Sequence, residues 1–116
     1  MSKDILIVDD EAAIRQVVGE ILEDEGYRPR GAANSDEAMR EMARRAPSLV
    51  LLDFVMPQMS GWTFLERMRA VPALGDVPVV AISALSVAHP GVSAALRKPF
   101  DLPSLLQTVE RFARCA

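Results

Sequence analysis

Two short apolar runs in this chain stop abruptly on acidic residues, and that pattern limits the fold more than any other feature. Ile5-Leu6-Ile7-Val8 runs straight into Asp9-Asp10-Glu11, and Leu49-Val50-Leu51-Leu52 runs into Asp53. A strand with one wet face alternates polar and apolar residues, whereas an uninterrupted aliphatic run suits a strand covered on both faces. Ionised side chains are almost never fully buried without a partner. Each run therefore reads as a buried strand that ends at a polar edge.

Helical spacing fills the intervals. From Ala12 to about Glu25 the apolar residues Ile14, Val17, Val18, Ile21 and Leu22 share one face, and Gly26 follows as a stop. Residues 27 to 33 are weakly strand-like. A second helix, capped by Asn34 or Ser35, runs through Ala38, Met39, Met42 and Ala43 towards Pro47. After Met56-Pro57 and Ser60-Gly61 comes a third helix carrying Phe64, Leu65 and Met68, then a fourth strand over Val77 to Ile82 that ends at Ser83. Ser93 to Arg97 reads as a short fifth strand ending at Lys98-Pro99, and residues 101 to 114 form a last amphipathic helix. Strands alternating with helices imply a doubly wound parallel sheet in a three-layer α/β domain, with right-handed connections.

Composition excludes several classes. At 116 residues, half of them hydrophobic, the chain supports one core, so residues 1–116 are expected to form a single domain. No apolar run reaches the roughly 18 residues of a membrane span, and no signal-peptide pattern opens the sequence, so a cytoplasmic protein is expected. A net charge of −3 argues against direct contact with nucleic acid, which needs a basic surface. The single cysteine, Cys115, cannot form an internal disulfide or a cysteine-based metal site. Eleven basic residues are arginine and two are lysine, Lys3 and Lys98.

Ligands of open parallel sheets collect beyond the carboxyl ends of the strands, near the point where strand order reverses. Asp9, Asp10, Asp53, Ser83 and Lys98 all fall at such ends. Singly, each is an ordinary strand end or helix cap; the argument rests on five falling on one edge. Carboxylates about 4 Å apart repel by roughly 4 kcal/mol at an effective dielectric of 20, so three together call for a cation. Oxygen-only ligands select a hard ion, Mg²⁺ first, and a Mg²⁺ held by a few carboxylates keeps positions for phosphate oxygens. One carboxylate could then serve as nucleophile, with Ser83 as donor and Lys98 as neutralising cation. This reasoning does not choose between Asp10 and Asp53.

Ile5 to Glu11, Leu51-Leu52-Asp53-Phe54-Val55-Met56-Pro57 through Gly61, Ala81-Ile82-Ser83-Ala84 and Lys98-Pro99-Phe100 together resemble, in order and across the chain, the receiver domains of response regulators in two-component signalling. The resemblance implies a flavodoxin-like fold with strand order 2-1-3-4-5, an order that members of this family themselves commonly illustrate. It also implies Asp53 as phosphoacceptor, and Asp9, Asp10, Asp53 and the main-chain carbonyl of Val55 around Mg²⁺, Asp9 acting through water. Ser83 and Lys98 would hold the phosphoryl oxygens. A sensor histidine kinase or phosphotransfer protein would be the donor, and the chain would not be an enzyme beyond assisting its own phosphoryl transfer.

The sequence also departs from that pattern. Only seven residues separate Ser83 from Gly91, about seven short of the family's usual interval, so the helix between strands four and five is expected to be shortened or missing. Ala95 stands where the family's switch usually has an aromatic ring. Val55 and Leu85 are apolar where relatives orient an attacking water, which implies slow self-dephosphorylation. His89, before Pro90, reads as a loop residue rather than a phosphodonor, and Trp62 as a partly buried packing residue. The alternative within the same fold is a degenerate receiver that serves only as a docking module. A Mg²⁺-dependent phosphatase would need an Asp-x-Asp pair and a cap, and a nucleotide or flavin carrier would need a phosphate loop after strand one.

Overall fold

The computed structural model describes residues 3–54, 60–83 and 91–113. A five-stranded parallel sheet in the order β2-β1-β3-β4-β5 forms its centre. The strands are β1 (Asp4–Val8), β2 (Arg28–Ala32), β3 (Leu49–Asp53), β4 (Val79–Ser83) and β5 (Ala94–Arg97). The helices are α1 (Ala12–Asp24), α2 (Ser35–Arg44), α3 (Gly61–Arg69) and α4 (Leu102–Phe112), with a 3-10 turn at Pro72–Leu74 that the sequence reading does not foresee. This is the architecture and strand order expected. The expected shortening between β4 and β5 falls on residues 84–90, outside the described residues.

Alternation along the central strands sorts their side chains between two cores. Leu6, Val8, Val50, Leu52, Val79 and Ala81 pack under α2 and α3, with Ala38, Met42, Phe64, Leu65 and Met68. Ile5, Ile7, Leu49, Leu51, Val80 and Ile82 pack under α1 and α4, with Val18, Leu22, Leu105 and Val109. Both faces of β1, β3 and β4 are thus dry, which is why their sequences run apolar without a break. The β2 strand, Arg-Pro-Arg-Gly-Ala, is an edge strand, and an edge tolerates the proline at position 29. Helix ends follow local chemistry. Gly26 closes α1 with φ near +90°, a conformation that costs glycine little. Asn34 accepts the Glu37 amide at 2.9 Å while Glu37 reaches back to the Ala33 amide at 2.8 Å.

The amino-terminal edge of the sheet holds a buried ion cluster. Asp4 is only 1% exposed. Its carboxylate takes the Arg30 Nε at 2.8 Å and the Arg45 Nε at 2.6 Å. Arg30 also donates to the Glu41 carbonyl at 2.6 Å, to the Glu41 carboxylate at 3.1 Å and to the Arg45 carbonyl. One guanidinium therefore joins β1, β2 and the end of α2, and its hydrogen bond holds the Glu41 carboxyl below its ordinary range. On the other side, Arg69 at the end of α3 donates to the carbonyls of Leu74, Gly75, Val77 and Gly91 at 2.9 to 3.1 Å, tying the entries to β4 and β5.

Removing Arg30 would leave the buried Asp4 carboxylate with one partly exposed partner, Arg45, and take this donor from the Glu41 and Arg45 carbonyls, whereas an exposed pair adds little. Arg30→Ala should lower the unfolding free energy by about 3 kcal/mol in urea titration. Arg67→Ala, which breaks the exposed pair with Asp36 at 2.9 Å, should cost less than about 1 kcal/mol. Equal losses for the two variants would contradict this assignment.

Candidate functional site

Parallel pairing sets the carboxyl ends of the central strands level. Val8 pairs with Leu52, so Asp9 and Asp53, one residue further, end neighbouring strands side by side. Both continue the alternation of Ile7 and Leu51 and so belong to the α1 and α4 side, as does Lys98, two residues past Leu96. Between β1 and β3 the strand order reverses, and this is where an open parallel sheet leaves its crevice.

Asp9, Asp10 and Asp53 each bring a carboxylate oxygen to within 4.8 Å of the others. Asp9 and Asp53 are 2% and 6% exposed, while Asp10 faces solvent. Lys98 Nζ stands 3.7 Å from Asp9 Oδ2 and 3.9 Å from Asp53 Oδ2. Its main chain is fixed by a 2.7 Å hydrogen bond from its amide to the Ser83 carbonyl. Ser83 itself is buried at the end of β4, on the strand next to Asp53, and pairs in register with Arg97. The structure thus gathers the acidic trio and Lys98 directly and holds Ser83 beside them through the main chain. Val55 lies outside the described residues.

One ammonium cannot balance three carboxylates, and their all-oxygen donor set fits a hard divalent cation such as Mg²⁺. The amino terminus of α1 adds partial positive charge on the same side, since Asp9 Oδ1 accepts the Glu11 amide at 2.9 Å. The arrangement can hold a divalent cation between carboxylates with an ammonium on the other flank, which is the electrostatic frame for binding phosphate oxygens.

Two features beside the site are not evident from sequence. Arg15 on α1 donates from Nη1 to the Asp9 carbonyl at 2.6 Å. Phe54, directly after Asp53, is buried and meets the Trp62 ring edge-on, with centroids 5.3 Å apart. Trp62 is 45% exposed, more open than the expected packing residue, although it does pack on Phe54. Gly61 donates its amide to the Phe54 carbonyl at 3.0 Å, and a Cβ at position 61 would come within 2.4 Å of the Phe54 ring. The glycine is required by this close approach and not by backbone strain, because its φ is not positive. His89 and Leu85 lie outside the described residues.

The family model described as the response regulator receiver domain matches residues 5–110. The response regulator Rre1 of Synechocystis sp. is 36% identical over 115 residues, covering 92% of this chain, which spans about half (49%) of Rre1. Chemotaxis protein CheY4 of Vibrio cholerae superposes with a TM-score of 0.89 at 28% identity, over 97% of this chain and 99% of that one. The receiver domain of sensor histidine kinase PA1611 from Pseudomonas aeruginosa superposes with a TM-score of 0.87 at 25% identity, over 97% and 98%. That structure has a magnesium ion coordinated in its active-site cleft.

Gly61→Ala should displace the Phe54 ring or the start of α3 and cost about 2 kcal/mol, a usual penalty for overpacking. Urea unfolding followed by Trp62 fluorescence measures it, and an unchanged midpoint would contradict the contact.

Proposed function

Because the chain belongs to the response regulator receiver domain family, we propose that it is a phosphoacceptor switch in two-component signalling, with Asp53 accepting a phosphoryl group from a histidine kinase or phosphotransfer protein. The observation that carries this reading is the packing of the three carboxylates within 4.8 Å of one another with Lys98 Nζ beside two of them.

Geometry favours Asp53 as the nucleophile. Asp9 Oδ1 is committed to the Glu11 amide, and Asp10 lies out in solvent. Asp53 is buried at the centre of the edge, where Lys98 can neutralise charge on an incoming phosphoryl group. In the transfer, an Asp53 carboxylate oxygen forms a bond to phosphorus as the bond from phosphorus to the donor imidazole nitrogen breaks, and the electron pair stays on that nitrogen. Asp9, Asp10 and Asp53 would hold Mg²⁺, with the main-chain carbonyl of Val55 as the further ligand the family pattern implies. When bound, Mg²⁺ supplies charge neutralisation for the phosphate oxygens. Lys98 would bind and orient those oxygens, and Ser83, at the end of the adjacent strand, would donate to one of them.

Support for a protein as donor comes from the surface next to Lys98. Ile14, Val17 and Ile21 of α1 face Pro99, Phe100 and Leu102 across an apolar groove of about 610 Å³ that reaches Lys98. A phosphohistidine on a partner helix could be presented to Asp53 from this side. Downstream, Ala95 is exposed on β5 and carries no ring, so the output of the switch would run through the connection after Ser83 rather than through an aromatic side chain on β5.

Incubation with Mg²⁺ and acetyl phosphate, followed by intact mass measurement, tests the assignment. The wild-type protein should gain one phosphoryl group and Asp53→Asn none. Lys98→Ala should react about two orders of magnitude more slowly, the usual cost of removing one preorganised charge-stabilising group. A gain in Asp53→Asn equal to wild type would move the acceptor elsewhere. No gain in the wild-type protein would leave the docking-module reading.

A further inference from the structure

Asp9 is held at almost every polar atom it has. Its amide donates to the Ala32 carbonyl at 3.1 Å, its Oδ1 accepts the Glu11 amide at 2.9 Å, and its carbonyl accepts Arg15 Nη1 at 2.6 Å. What remains is Oδ2, which faces Lys98 at 3.7 Å. The Arg15 bond differs from the other two. It comes from a long side chain on α1 and ends on the peptide group joining Asp9 to Asp10, the two acidic residues that close β1.

The path of that side chain is itself prepared. Arg15 is half-buried, and its stem lies over Gly31 of the edge strand β2, where an added Cβ would come within 3.1 Å of Arg15 Cδ. Gly31 does not have positive φ, so its backbone does not require glycine. The glycine instead leaves room for the arginine to reach the Asp9 carbonyl. The guanidinium reaches the Asp9 carbonyl through Nη1. Its geometric role is on the main chain.

We propose that Arg15 is a positioning residue that fixes the Asp9-Asp10 peptide so that the solvent-facing Asp10 carboxylate is presented in line with Asp9 and Asp53, and that Gly31 is the space this requires. The proposal rests on the reading of the acidic trio as a Mg²⁺ site. Two effects of Arg15 oppose each other. As a nearby positive charge it repels a divalent cation, so its loss would tighten Mg²⁺ binding. As a clamp on the ligand backbone it presents the carboxylates, so its loss would weaken binding, and residues that orient metal ligands typically matter by 10- to 100-fold in affinity. The second effect governs here, because the bond is short and ends on the peptide between Asp9 and Asp10.

Isothermal titration calorimetry of the purified chain with MgCl₂, at a temperature well below each variant's melting point, decides the sign. Arg15→Ala should raise the Mg²⁺ dissociation constant about tenfold or more. Arg15→Lys, which keeps the charge and part of the reach, should recover part of that loss. Gly31→Ala should weaken binding by crowding the Arg15 stem, and should add nothing in an Arg15→Ala background. Tighter binding in Arg15→Ala would assign Arg15 a purely electrostatic role and overturn the proposal. An unchanged dissociation constant with a lowered melting temperature would reduce it to a structural contact and overturn it equally. A wild-type chain that takes up no Mg²⁺ would instead remove the metal-site reading on which the proposal stands.

Discussion

Repulsion among three carboxylates is the constraint around which the rest of this structure is arranged. Dry strands whose two faces are both covered bring Asp9 and Asp53 to the same level, and the chain adds Asp10 beside them. Nothing apolar offsets such a concentration of charge. Lys98 offsets part of it, and its position depends on β5 being tied to β4 by the bond from its own amide to the Ser83 carbonyl. The amide of Glu11 and the clamp from Arg15 hold Asp9 in place. The remaining negative charge is what a hard cation and a phosphoryl group can use.

The opposite end of the sheet solves a similar problem by different means. Asp4 also ends a dry strand, at its beginning, but there two arginines close around the carboxylate, and Arg30 gives its other donors to the Glu41 and Arg45 carbonyls at the end of α2. That cluster is internally satisfied and ties β1, β2 and α2 together. At the carboxyl edge, among the described residues, Lys98 lies within 4 Å of two of the three acids and Arg15 binds main chain, so the two ends of the sheet differ in charge balance.

How much of this could be read in the sequence varied with how local the cause was. Dry strands are legible because an unbroken apolar run ending in an acid has few alternatives, and Asp9, Asp10 and Asp53 stand at the ends of those runs, whereas Lys98 follows the half-exposed β5. The β2 strand was faint because an edge strand has no need of an apolar run, and Pro72 at the head of the 3-10 turn resembles any loop proline. The arginines were illegible for another reason. Arg15, Arg30 and Arg69 act largely on main-chain carbonyls brought near by tertiary packing, and no spacing rule marks a carbonyl as a partner. Asp4 stands directly before Ile5, at the start of the strand, but nothing local marks Arg30 and Arg45 as its partners. Gly61 was readable as a special position but not for its cause, since the Phe54 ring that excludes a side chain is seven residues away.

The central claim is that Asp53, flanked by Asp9, Asp10 and Lys98, is where a phosphoryl group attaches. A crystal structure of the chain with Mg²⁺ and beryllofluoride, a stable mimic of the phosphoryl group, examines it most directly. The account predicts beryllofluoride joined to an Asp53 carboxylate oxygen, Lys98 Nζ on one fluorine, and Mg²⁺ against Asp10 and Asp53. Beryllofluoride joined to Asp10, or an acidic trio that holds Mg²⁺ while Asp53 stays unmodified, would contradict it.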